Sequence, residues 1–292
     1  MQTGYATNGE TNITYEVLGE TTDPTLIVIS GLGSQLVYWT DDLCAEFMHR
    51  GFRVIRFDNR DVGLSSKTPG NPPDMKNVMA GKLANPPYTL SDMAADTVAV
   101  LDTLNIGSAH VAGVSLGGMI AQTMAIEYPH RISSLTSIMS TSWRKANMKE
   151  LTGNDDAVSA SLTLDLNNPD AWVDLQVEGY REISGPHFDE GYTHDIIERS
   201  FQRCYHPAGW PYQMAAAIAS GDRRPALKKL NLPTLVIHGG ADNLIPPSAG
   251  KETADSIPGS RYLYIDDMGH NLLPAHWQPV ANAIAQIAGR GI

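Results

Sequence analysis

Cysteine is scarce in this chain of 292 residues: Cys44 and Cys204 stand far apart in unrelated contexts. They offer no disulfide framework and no metal-ligand spacing, and they read as two idle thiols of a reducing compartment. Positive charge is also short. Against 32 Asp and Glu there are 21 Lys and Arg, a net charge of −11. That balance argues against nucleic acid and anionic membrane surfaces as partners, and the acidity itself reads as a solubility feature. No apolar run approaches the roughly eighteen residues needed to cross a bilayer. The opening Met1-Gln2-Thr3-Gly4-Tyr5 has no basic-then-apolar leader, so the expectation is a cytoplasmic protein. Internal repeats and low-complexity tracts are missing too.

What is present is a core. With 42% hydrophobic residues the chain can bury one and is not disordered. Tyr5–Thr7 and Asn12–Leu18 flank Asn8-Gly9, a hairpin signal. Thr25–Ser30, Phe52–Phe57, Ala109–Ala112 and Ile132–Met139 are strand-like runs. Helical spacing covers Tyr38–Arg50 and Leu90–Leu104, the second with Ser91 as its N-cap. A loop with five prolines runs between Lys67 and Leu90. Strands alternating with helices predict βαβ units and a mostly parallel sheet.

The alternation stops near Thr141. From Ser142 to about Lys229 the pattern is helical and irregular, with scattered aromatics from Trp143 to Tyr212. Strands return at Thr234–Gly239 and Arg261–Ile265, and a last helix runs from about Pro274 to Ala288. An ordinary crossover needs only a dozen or so residues, so the interruption reads as a lid. The expected organisation is a core of residues 1–141 and 230–292 with a helical lid, 142–229, inserted after the sixth strand.

The chemistry gathers at Gly113-Val114-Ser115-Leu116-Gly117, between a strand and a helix of small residues ended by Pro129. Strand, Gly-x-Ser-x-Gly, helix is the setting of a nucleophile elbow, a turn so tight that the serine stands exposed in strained backbone. A serine hydroxyl needs a base to take its proton, usually histidine. Behind such an elbow the chain order is nucleophile, acid, histidine. Of nine histidines, only His270 and His276 lie late enough. His270 follows the final strand in a loop, whereas His276 falls at the start of the last helix and reads as a surface residue. Asp242, just past the Thr234 strand, is the candidate acid. Asp266 and Asp267 precede His270 in its own loop and more naturally cap that turn. Two backbone N–H groups must hold the oxyanion: Leu116, after the nucleophile, and Leu32, in Ser30-Gly31-Leu32-Gly33. His238 has no second ligand at spacing, and Gly31-x-Gly33 is too short for a dinucleotide site, so neither metal nor cofactor is expected.

Three motifs together, Asp58-Asn59-Arg60-Asp61-Val62-Gly63-Leu64-Ser65, Gly113-Val114-Ser115-Leu116-Gly117-Gly118 and Gly269-His270, resemble the α/β-hydrolase family of serine esterases over the full chain. The Arg60-Asp61 pair and the Ser30–Gly33 loop are similar to the aclacinomycin methylesterase-like branch. The resemblance implies an α/β-hydrolase fold. The expected function is a serine carboxylic-ester hydrolase acting on a small to medium apolar ester. The alternatives are lactone opening, cofactor-free perhydrolysis, carbon–carbon cleavage, or a small-molecule receptor that keeps the triad but only binds.

Overall fold

The computed structural model describes residues 1–80, 82, 85–142 and 169–290. An eight-stranded sheet runs through its middle, with β1 (Gln2–Asn8), β2 (Thr11–Leu18), β3 (Thr25–Ile29), β4 (Arg53–Phe57), β5 (Ala109–Val114), β6 (Ile132–Ile138), β7 (Thr234–Gly239) and β8 (Arg261–Ile265). The spatial order is β1-β2-β4-β3-β5-β6-β7-β8. Only the β1–β2 and β2–β4 pairs are antiparallel; all others are parallel. This is the mostly parallel, helix-flanked sheet that the alternating pattern predicts.

Period-two geometry divides the core into two faces. Ile27 and Ile29 of β3 point to one side, joining Met93 of α3 (Leu90–Thr103) and Ile120 of α4 (Leu116–Glu127). Leu26 and Val28 point to the other, joining Phe47 of α1 (Asp41–Met48) and Ile284 of α10 (Pro274–Ile287). Because both faces are covered, β3, β4 and β7 are buried along their whole length. That is why β3 and β7 read as near-continuous apolar runs rather than alternating ones, while β4 buries Arg53 and Arg56 among its apolar residues.

The elements depart locally from the sequence reading, at the helix starts through a side chain that takes up the backbone N–H groups. The helix expected over Tyr38–Arg50 is split into a 3-10 turn, Leu36–Tyr38, and α1. Thr40 accepts from the Leu43 N–H and caps α1, which fixes its start. Ser91 is not the cap of α3. Thr89 is, and its N–H and hydroxyl both donate to Asp92, while Ser91 donates to Glu127 of α4. Asp74 starts a short helix, α2 (Met75–Met79), inside the proline-rich loop. The β1–β2 turn is made by Gly9 and Glu10, with Gly9 at φ 59°.

Between β6 and β7 the elements among the described residues are all helices: α5 (Pro169–Ile183), α6 (Glu190–Arg203), α7 (Gly209–Ala219) and α8 (Arg224–Leu227). The insertion therefore follows the sixth strand, as expected. Trp143 and the rest of the stretch up to residue 168 lie outside the described residues. The sheet continues on the far side with α9 (Pro247–Asp255) between β7 and β8.

At two points backbone meets backbone too closely for any side chain. A Cβ at Gly113 would lie 2.1 Å from the Gly117 carbonyl oxygen, and one at Gly117 would lie 2.1 Å from the Ile29 carbonyl oxygen. Neither backbone can retreat without moving a central strand. Gly117→Ala is expected to destabilise the protein by more than about 4 kcal/mol, in the range of severe core lesions. Gly179→Ala, in an exposed turn of α5 with no atom near its added Cβ, should instead raise stability by up to about 1 kcal/mol. Thermal melts of both variants check the pair; a Gly117→Ala melt within a degree or two of the parent would refute the steric reading.

Candidate active site

Every expected site residue lies at the carboxyl edge of the parallel strands, where open α/β sheets place their ligands. Leu32 follows β3, Ser115 follows β5, Asp242 follows β7 and His270 follows β8. The separate loops converge because β3, β5, β6, β7 and β8 are consecutive neighbours.

Ser115 is held at φ 52° and ψ −118°, a left-handed conformation costly for any residue with a Cβ. The surroundings impose it. The Ser115 N–H donates to the Ile138 carbonyl at 2.9 Å, and its own carbonyl accepts from Gly118 N–H, Met119 N–H and the Ser140 hydroxyl. Strand β6 and helix α4 thus grip both sides of one peptide. The serine side chain is left at the mouth of α4, whose first N–H groups have no partner inside the helix.

The three side chains form one relay. His270 Nε2 lies 3.0 Å from Ser115 Oγ, and His270 Nδ1 lies 2.8 Å from Asp242 Oδ2. Asp242 Oδ1 accepts from the N–H groups of Leu244 and Ile245 at 3.0 and 2.9 Å. Burial alone would push the Asp242 carboxyl up, but His270 and His238 outweigh it and hold the group well below the ordinary carboxylate range. An ionised Asp242 accepts the Nδ1 proton, which leaves a lone pair on Nε2 facing the serine. Geometry that joins nucleophile, base and orienting acid in this way supports covalent acyl transfer.

Leu32 and Leu116 both line the cavity that holds Ser115, on opposite sides of it in the chain. Asp266 and Asp267 do not reach the His270 ring. Asp267 pairs with His187 at 2.6 Å. His276 is not a surface residue: it is 2% exposed, because its position on the first turn of α10 faces inward.

Sequence reasoning passed over three contributors. His238, weighed only as a metal ligand and set aside, is fully buried and sets Nε2 3.2 Å from Asp242 Oδ2. The one available signal is its position four residues before the acid. Ser140 braces the elbow carbonyl from β6's end. Tyr38 donates to Asn271, next to His270, at 3.2 Å. Burial raises the Tyr38 phenol well above its usual value, so it stays a neutral donor.

The cavity above Ser115 has a volume of about 320 Å³ and is walled by Trp39, Met79, Met119, Met139, Trp210 and Met214. A neighbouring cavity of about 410 Å³ shares Leu32, Tyr38, Tyr180, Ile183 and Trp210 with it. Helices α5 and α7 of the insertion thus supply part of the wall around Ser115. Methionines make such a wall adaptable to ligand shape.

Comparison with known proteins matches residues 24–276 to the alpha/beta hydrolase fold. Rhodomycin D methylesterase DnrP of Streptomyces peucetius is 28% identical over 306 residues, covering 97% of each chain. The 3-oxoadipate enol-lactonase 2 of Acinetobacter baylyi is 26% identical over 247 residues, covering 84% of this chain and 81% of that one. The crystal structure of the enol-lactonase from Burkholderia xenovorans LB400 superposes with a TM-score of 0.76 at 21% identity, covering 98% of this chain and 100% of that one.

The geometry separates the rival carboxylates. Asp242→Asn keeps the shape but presents the wrong tautomer to His270, which in a relay of this kind costs about 10⁴ in kcat. A loss of three to four orders of magnitude is expected. Asp266→Asn should stay within about threefold of the parent, as for a surface change remote from the relay. Ester turnover by the two folded variants is the measurement, and the reverse ranking would reassign the acid.

Proposed function

The chain belongs to the alpha/beta hydrolase fold family, and on that premise we propose that it hydrolyses carboxylic esters through Ser115, His270 and Asp242. The observation that carries the proposal is the continuous relay, 3.0 Å from serine to histidine and 2.8 Å from histidine to aspartate. A receptor that only binds has no need of a poised base, so the relay favours turnover.

In this reading Ser115 Oγ attacks the ester carbonyl while His270 Nε2 takes its proton. The tetrahedral oxyanion is held by the N–H groups of Leu32 and Leu116. His270 returns the proton to the leaving alkoxide, and a water activated by the same nitrogen releases the acid. Asp242 keeps the ring in one tautomer and balances its charge in between. The chemistry requires no metal and no organic cofactor. Residues 1–141 and 230–292 act as the catalytic core, and 142–229 as a lid that builds the substrate pocket.

The apolar cavity argues for a small to medium apolar ester with room for a bulky acyl or alcohol part. A methylesterase among the relatives supports a compact alcohol leaving group. Enol-lactonases among the relatives favour a second reading, in which the ester is cyclic. The same residues open it, and the leaving oxygen stays attached to the acyl part.

Ser115→Ala should lose on the order of 10⁶ in kcat, as triad nucleophiles do. The assay is a panel of p-nitrophenyl and methyl esters of graded acyl size beside five- and six-membered lactones. Retention of more than a few per cent of the parent rate would exclude Ser115. Stoichiometric binding with no turnover across the panel would favour the receptor.

The pH profile follows from the direction of the Asp242 shift. That carboxyl remains ionised well into acid, so it adds no limb of its own. A general base works only in its unprotonated form, so activity falls toward acid. The expected kcat/KM is one acid limb of unit slope in the logarithmic plot. A slope of two, or a profile that stays flat toward acid with chemistry limiting, would contradict a lone histidine base.

A further inference from the structure

Beside the relay, but separate from it, three metal-binding side chains meet at the junction of insertion and core. His187 lies between α5 and α6, Asp267 lies in the loop after β8, and His276 lies on the first turn of α10. His187 Nε2 stands 2.6 Å from Asp267 Oδ2, and His276 Nε2 stands 3.5 Å from Asp267 Oδ1. One donor atom from each falls within 4.8 Å of the others. The two imidazoles meet edge-on, with centroids 5.3 Å apart.

His276 is the observation that asks for a ligand. Its side chain is 3% exposed; Nδ1 has no hydrogen-bond partner, and Nε2 has only the Asp267 carboxylate at 3.5 Å, at the outer limit of such a contact. A buried polar group without a partner costs about 1–3 kcal/mol, and such orphans in a native interior call for an explanation. The other two residues are about half exposed, His187 at 42% and Asp267 at 51%, so both are free to adjust and solvent reaches the site.

We propose that His187, Asp267 and His276 bind one divalent transition-metal ion, zinc by preference, that clasps the insertion to the loop carrying His270. Two imidazoles and one carboxylate suit zinc and its neighbours in the first transition row. Magnesium and calcium take oxygen ligands and are disfavoured. Zinc bonds of about 2.0–2.1 Å in a tetrahedron put donor atoms about 3.4 Å apart. The 3.5 Å pair already fits that spacing. The 2.6 Å pair would open as the His187 side chain swings to face the ion, and water would complete the fourth position.

The segments to be joined already touch. The His270 N–H donates to the Ile183 carbonyl at 2.6 Å, and Asn271 donates to the Ser184 hydroxyl at 3.0 Å. Asp267 lies three residues before His270, and His187 lies three after Ser184. The ion would therefore tighten a contact the fold has made, and no step of ester hydrolysis passes through it.

The test uses the untagged full chain, stripped with chelator and then freed of it. Cobalt titration read by visible absorbance and zinc titration read by calorimetry should each give one equivalent, with zinc Kd near or below about 1 µM. His187→Ala and Asp267→Asn are exposed changes that leave the core intact. Each should weaken binding at least about tenfold, the least expected for a perturbed metal site. His130→Ala, an exposed histidine elsewhere, should leave it unchanged. Zinc should raise the melting temperature of the parent but not of His187→Ala, while metal-free ester turnover of His187→Ala matches the parent. No saturable binding up to about 1 mM, or equal affinity in parent and His187→Ala, would overturn the proposal.

Discussion

The crossing of α4 over β3 and β6 sets the terms for everything else in this protein. Gly113, Gly117 and Gly118 sit where backbones or a strand-end serine come so close that a Cβ would overlap them. This contact forces the single peptide at Ser115 into φ 52°. Strain of that size persists only where the surroundings over-determine it. Here they do: β6 and α4 take up both polar groups of the Ser115 backbone and leave its hydroxyl unclaimed except by His270. Relaxing the crossing would rotate the side chain away from the relay, so packing and chemistry rest on the same contact.

The loop after β3 is held from outside by the insertion. Arg203 of α6 donates to Asp58 Oδ2 and to Gln35. Asp58 is wholly buried and also accepts from the Leu36 and Leu64 N–H groups. Gln35 reaches back to the Ser200 and Cys204 carbonyls at 2.7 Å each. Gln213 of α7 accepts from the Gly33 N–H and donates to the Arg60 carbonyl. Removing Arg203 would strand a buried carboxylate, and that is the costly direction for such pairs. Within the Asp58–Ser65 motif, the Asp58 carboxylate and the Arg60 carbonyl therefore fasten insertion helices to the turn that carries Leu32, while the Arg60 guanidinium pairs with Asp96 of α3 and Asp61 holds Thr68.

How far the residues could be read depended on the range of the forces involved. The parallel strands were legible because two covered faces leave an apolar run, and the elbow because glycine alone survives the crossing. Ser115, Asp242 and His270 could be placed from chain order and strand ends, since each needs only its own local element to reach the sheet edge. Thr89, rather than Ser91, caps α3 because Asp92 selects it, a choice between neighbouring hydroxyls that spacing cannot make. His276 could not be read as buried, for its inward face exists only once Asp267 and His187 close over it. The contact of His238 with Asp242 could not be read for the same reason: its partner lies across a turn whose shape the Leu244 and Ile245 N–H groups decide.

That turn also explains why Asp242 and neither loop aspartate suits the relay. Its carboxylate meets four donors: two backbone N–H groups, His270 Nδ1 at 2.8 Å and His238 Nε2 at 3.2 Å. Four is the full acceptor capacity of a carboxylate, so the charge is solvated by fixed dipoles although the group is 4% exposed. His238 Nε2 also faces the Ile245 carbonyl at 2.9 Å. With two acceptors on that side, its proton belongs on Nε2. Gly250 closes over Nδ1, where a Cβ would stand 2.2 Å away. A carboxylate already surrounded in this way needs no reorganisation when His270 becomes charged, which is the condition for electrostatic stabilisation in a dry site. Asp267 has the opposite setting: its side chain is 51% exposed and paired to a half-exposed imidazole, so water would have to be moved before it could balance a charge on the ring.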